Sequence, residues 1–228
     1  MFDRLKKVFG KPAESVVAAA GDTPLEVWAS SLGFVVARKP GTDEFSLSGA
    51  VDGRPFRLDR TAPSRAFIVD KELRARAELD VDPEVSVMVI NRQLRDALEK
   101  KAYENYTDSL QTTLDTSMPE EVRWLAMYDE AGWETGAVPG FWERYSIVAD
   151  LREHAQAWVG PELMQALVDW PQPTAQAQAP FIMILQRGKL YLRMEFSPAE
   201  LSTLQHATGV FTTGCAAALA RWSRAKGP

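Results

Sequence analysis

Arg54, Arg57, Arg60, Arg65, Arg74 and Arg76 crowd one stretch of the chain. Guanidinium groups present forked donors that match carboxylates and phosphates, so such a concentration can form an anion-binding or acidic-partner face. The competing reading is a solvated sheet face on which Asp59, Glu72 and Glu78 pair with the arginines across strands. The interleaving of opposite charges favours this second reading.

Other residues with chemical potential are scattered. Asp129, Glu130 and Glu134 surround Trp133, with Trp124 and Trp142 near in sequence. Paired carboxylates beside aromatic rings suit sugar chemistry, whereas carboxylates in a turn are ordinarily just solvated. The second reading, a surface loop anchored by a tryptophan, is preferred. Glu153-His154 lacks the second histidine of an HExxH zinc motif. His154, His206 and Cys215 would form a metal or nucleophile site only if their helices were neighbours, and ordinary helix histidines with a core thiol are the expectation. The chain has no GxGxxG, no GKS/T loop and no GxSxG elbow. A dispersed Ser/His/Asp triad stays open, limited to two histidines. No residue is assigned a catalytic role, and no cofactor or metal is called for.

At the start of the chain Phe2, Leu5, Val8 and Phe9 share one helical face, with Arg4, Lys6, Lys7 and Lys11 around them. A basic amphipathic unit of this kind suits weak membrane-surface contact or partner docking, and equally a terminal turn packed on the body. With Phe2, Leu5 and Phe9, the residues expected on a partner surface are Trp133, Tyr191 and Arg193. The chain holds 7 tryptophans, several at element ends, and such residues are common interface anchors.

The elements that would position these groups are legible in places. Residues 181–196, FIMILQRGKLYLRMEF, read as a β-hairpin. The first strand is a continuous apolar run, as expected when both faces are covered. Arg187-Gly188 supplies the turn. The return strand alternates, with Leu190, Leu192, Met194 and Phe196 facing a core and Lys189, Tyr191, Arg193 and Glu195 facing out. Leu204, Thr208, Phe211, Cys215 and Ala218 then recur on a helix that can cover the apolar face, opened by a cap at Ser197.

Earlier, Thr23-Pro24-Leu25-Glu26 is a capping box that opens the folded body. A short strand at 34–37 is followed by strands at 45–51 and 56–58, joined by Asp52-Gly53, a strong hairpin signal. Pro55 favours an edge position for the second of these. Residues 72–79, ELRARAEL, are good helix formers but alternate, which favours a strand. Residues 85–90 read as a β-branched strand and 92–106 as a helix. Residues 107–115 are a strand or loop, and a second capping box at Ser117 opens a helix to about residue 128. A strand is expected over 141–149, then helices to 159 and over 161–170, and a Pro/Gln/Ala loop over 171–180.

The expected fold is α+β: antiparallel hairpins covered by helices, with a long C-terminal helix. Residues 1–22 are an amphipathic segment and tether. Residues 23–228 form one compact body, or two packed subdomains meeting near 107–118. The 228 residues permit a core that needs no staples. A net charge of −5 argues against general nucleic-acid binding. One cysteine forms no internal disulfide, no run is long enough to span a membrane, and the start lacks a signal-peptide core. A cytoplasmic, membrane-peripheral at most, location is expected.

Three stretches carry a resemblance: the start MFDRLKKVFG, the hairpin GAVDGRPFRLDR, and PELMQALVDW followed by FIMILQRGKLYLRM. On these the chain resembles a group of uncharacterised bacterial α+β proteins with no assigned activity, which lends it no site residues. The first functional expectation is a non-enzymatic interaction or adaptor protein with a protein partner. A small-ligand binding module and an enzyme with a dispersed site are the alternatives.

Overall fold

The computed structural model describes residues 23–108, 120–134, 136–171 and 179–223. Residues 1–22, which include Phe2, Leu5 and Phe9, lie outside the described residues, as do most of the 107–119 connection and residues 172–178.

Helix α1 (Pro24–Ser31) begins at the capping box, where the Thr23 N–H donates to Glu26 Oε2 at 2.6 Å. Strands β1 (Val35–Arg38), β2 (Phe45–Val51), β3 (Arg54–Thr61), β4 (Glu72–Glu78) and β5 (Ser86–Asn91) follow. The β2–β3 turn places Asp52 and Gly53 at φ 48° and 76°, the paired positive values that match hairpin twist. Helices α2 (Arg92–Asp108) and α3 (Glu120–Met127) lead to a two-residue strand, β6 (Asp129–Glu130). The second half runs α4 (Phe141–Arg144), β7 (Tyr145–Ala149), α5 (Arg152–Trp158), α6 (Pro161–Val168), β8 (Phe181–Gln186), β9 (Lys189–Glu195) and α7 (Leu201–Trp222).

The fold is α+β. Among the described residues all nine strands join one antiparallel sheet in the order β1-β2-β3-β4-β9-β8-β5-β7-β6. The β8–β9 hairpin is the centre of that order. It links the strands of the first half, through β4, to β5 and β7.

One face of the sheet is covered along most of its length. Leu47, Leu58, Leu73, Leu192 and Met183 point there and meet Phe211 and Cys215 of α7, together with Trp158 and Leu163. Among the described residues the opposite face is covered only over β5, β7 and β8. There Met88, Ile90, Val148, Ile182 and Ile184 meet Leu94, Leu98, Val122 and Trp124 of α2 and α3. The unbroken apolar run of β8 follows from this, since its residues alternate between the two cores. No helix among the described residues is long and apolar enough to cross a membrane.

Three local expectations need correction. Strand β3 is interior, flanked by β2 and β4. It accommodates Pro55 because β4 pairs only from Phe56 onward, so the missing N–H falls where no ladder partner is required. Residues 141–144 form a helical turn rather than the start of a strand, with Phe141 packed edge-on against Trp142 and stacked on Tyr145. The last helix starts at Leu201 with Glu200 at its N-cap. The Ser197 hydroxyl instead donates to Asp70, and the Ser197–Pro198 peptide is cis. The helix after β7 has Leu151 at its N-cap, and the Asp150 carboxylate accepts from the Leu151 N–H at 2.8 Å.

Candidate functional site

The uncovered half of the second face is floored by β2, β3, β4 and β9. Strand alternation sends Arg57, Asp59, Arg74, Arg76, Tyr191 and Arg193 to this side. Register then aligns them in two rows. Ser48, Arg57, Arg76 and Tyr191 are successive cross-strand partners, and so are Ser46, Asp59, Arg74 and Arg193. Arg57 is therefore directly opposite Arg76, and Arg74 directly opposite Arg193. Like charges so placed repel.

These residues line a concavity of about 680 Å³. Its lining holds four arginines against two carboxylates, Asp59 and Glu78, in a chain whose net charge is −5. Three of the arginines have partners. Arg57 Nε donates to Asp59 Oδ1 at 2.8 Å. Arg76 pairs with Glu78 and lies 5.8 Å from the centre of the Tyr191 ring. Burial works against ionisation of Glu78, but hydrogen bonds from Arg76 and Lys189 prevail and hold its carboxyl below the usual range. Arg193 donates to Glu72 Oε1 and to Ser64 Oγ, both at 2.6 Å. Arg74 is half-buried and has no hydrogen-bond or ion-pair partner among the described residues.

One side of this floor is fastened by buried ion pairs. Glu72 is fully buried, and its second oxygen accepts from the Ser64 N–H at 2.6 Å. Glu121 of α3 is also buried and accepts from Arg65 Nε at 2.8 and 3.1 Å, with Arg193 Nε at 4.0 Å. Arg65 and Arg193 thus tie the 62–71 loop, α3 and β9 together. Buried carboxylates need such partners, because burial alone penalises the charged form.

The sequence-predicted residues divide accordingly. Tyr191 and Arg193 belong to the concavity. Trp133 is half-buried, with its ring edge-on to Trp142 at 5.0 Å, away from the arginine rows. Of the six arginines grouped by sequence, only Arg57, Arg74 and Arg76 share the open face. Arg60 points to the core side beside Phe56 and Leu58, is 7% exposed, lies over the Phe196 ring and bonds the Asp43 carbonyl at 2.8 Å. Arg65 serves Glu121, and Arg54 pairs with Asp80 at 3.4 Å. Alternation within β3 could have separated Arg60 from Arg57. Nothing local could have added Arg193, because the β4–β9 pairing brings it in.

The other candidate groups are held apart. His154 Nδ1 lies 3.0 Å from both oxygens of Asp150, and its ring meets Trp222 edge-on. His206 packs on Trp170 at 4.5 Å and donates from Nε2 to the Ala166 carbonyl at 2.8 Å; burial lowers its pKa. Cys215 is fully buried in the core, and burial pushes its thiol well above the usual range. Among the described residues no three His, Cys, Asp or Glu side chains gather in a metal-binding group. Glu130 is committed to Arg92, Arg95 and the Ser146 hydroxyl. Burial opposes its ionisation, but the Ser146 hydrogen bond and the Arg95 charge hold it below the usual carboxylate range.

The chain matches no protein-family model, no curated protein and no solved structure.

Proposed function

We propose that the protein is a non-enzymatic interaction protein that docks a protein partner on the open face of β2, β3, β4 and β9. The observation that carries this reading is the pairing of a sheet face that no described helix covers with four arginines in direct cross-strand register. A face meant only for water gains nothing from placing guanidinium groups opposite one another, and a partner supplying negative charge would relieve that repulsion. The volume also falls in the range of small-ligand pockets, about 300–1,000 Å³. Such pockets enclose their ligand, however, whereas this one lies open on a sheet face and is floored by four arginines. That contrast favours a macromolecular partner over a small ligand.

The test is affinity capture with the full chain, followed by calorimetric titration of the recovered partner as a purified protein. Charge reversal at Arg57, Arg74 and Arg76 together should weaken binding at least tenfold while circular dichroism stays unchanged. Arg152→Glu, on the exposed side of α5 across the sheet, should leave binding intact. Equal affinity of the triple variant and the wild type would remove this face as the docking site.

A further inference from the structure

We infer that the occupant of this face is an extended acidic segment of the partner, with carboxylates two residues apart, anchored on Arg74. The inference deepens the docking reading and rests on it.

Arg74 is the one arginine of the floor with no partner among the described residues, and it sits within the second row, between Asp59 and Arg193. Its nearest cross-strand neighbours are Arg193 on one side and Asp59 on the other, and Asp59 is engaged by Arg57 at 2.8 Å. Arg76 follows two positions along the same strand and faces the same way. An anion above Arg74 is thus met by an unpaired guanidinium and sees the positive charge of Arg76 and Arg193 close by. The last two keep unused donors, because a guanidinium carries five N–H groups and each makes only one or two bonds here.

The spacing selects the shape of the ligand. Residues two apart on a strand lie about 6.5–7 Å from one another and point to one face. An extended peptide running along β4 repeats that spacing, so alternate carboxylates meet Arg74 and Arg76 in turn. The charge balance selects its chemistry. Asp59 and Glu78 remain within the lining, and a long uniform polyanion would meet them as well as the arginines. A short segment with discrete carboxylates avoids this. Tyr191, under Arg76 in the same row, offers an aromatic surface to the stem of an adjoining residue.

Fluorescence anisotropy with the full chain tests the inference. The probe is a fluorescein-labelled octapeptide with glutamate at alternate positions. The comparison ligands are a peptide of the same composition with adjacent glutamate pairs at its two ends, so that no two glutamates lie two residues apart, and a 12-nucleotide single-stranded DNA. The alternating peptide should bind, bind more weakly as salt rises, and lose at least tenfold affinity in Arg74→Ala. It should bind Arg76→Ala more weakly and Arg152→Ala as well as wild type. Because Arg74 has no partner to lose and its removal relieves the repulsion from Arg193, Arg74→Ala should not lower the melting temperature. Equal binding to wild type and Arg74→Ala overturns the anchor. Equal affinity for the end-paired glutamate peptide overturns the spacing. Tighter binding of DNA overturns the peptide assignment. Should the peptide fail to bind while the charge-reversed face still loses the captured partner, this inference fails and the docking reading stands; if the partner is also retained, both fail.

Discussion

Replacing Arg193 with methionine should destabilise the protein by about 3 kcal/mol, since breaking a buried ion pair typically costs about 3–5 kcal/mol. The working is local. Arg193 lies 2.6 Å from Glu72, which has no exposed surface. Without the guanidinium, Glu72 keeps only the Ser64 N–H as a donor, and a charged carboxylate is left buried. The Arg193 side chain is 25% exposed, so water can reach part of the vacated space and the lower end of the range applies. Glu121, 4.0 Å from Arg193 Nε, keeps Arg65 and adds little. Urea unfolding followed by tryptophan fluorescence reads the effect. With a slope of about 3 kcal/mol per molar, the midpoint should fall by about 1 M. Glu72→Gln in the same background removes the stranded charge and should restore at least half of the loss. A midpoint within 0.2 M of wild type (roughly a fifth of the shift expected from that slope) for Arg193→Met would refute the reasoning. Simple additivity of the two substitutions would refute it as well, since residues in one ion-pair network are expected to couple.

Gly49→Ala should destabilise by about 1–3 kcal/mol through overpacking, because the added Cβ would lie 2.5 Å from Phe34 Cδ1 and 2.8 Å from Phe56 Cε1; thermal unfolding should show the loss, and Phe34→Val should relieve it. Glu26 is held down to about 2 by the Thr23 N–H first, then the Thr23 hydroxyl and Arg38. Its folded value is below the unfolded one, so its contribution is complete above about 4.5 and disappears as pH falls toward about 2. Melting temperatures of Glu26→Gln and wild type should therefore converge across that window, and a constant gap would contradict the assignment. Cys215, buried in the core with its thiol held protonated, should resist a thiol-specific reagent in buffer and react fully in denaturing urea; rapid labelling of the folded protein would place it elsewhere.

Much of the local structure was legible because it depends on a few adjacent residues. The alternation of 189–196 assigned each side chain of β9 to its face, and the apolar run of β8 announced two covered faces. Asp52-Gly53 and Arg187-Gly188 both adopt the positive φ values that their turns require. ELRARAEL was legible by period rather than propensity: its leucines and alanines entered the core although every residue favours a helix. Less was legible where a residue's neighbours come from elsewhere in the chain. Ser197 was a plausible cap until Asp70 took its hydroxyl, and residues 141–144 curled because an aromatic cluster packs there.

The candidate site divides along the same line. The sequence by itself determined that arginines concentrate at 54–76 and that Tyr191 and Arg193 face away from a core, because side-chain direction follows the two-residue period of a strand. Only the tertiary structure decided that β4 pairs with β9, that Arg60 and Arg65 are drawn away to Asp43 and Glu121, and that Arg74 is left unpaired between Asp59 and Arg193. Strand order depends on how all the apolar faces are buried together, and ion pairing depends on which charges that order makes adjacent; neither is contained in any short stretch of sequence.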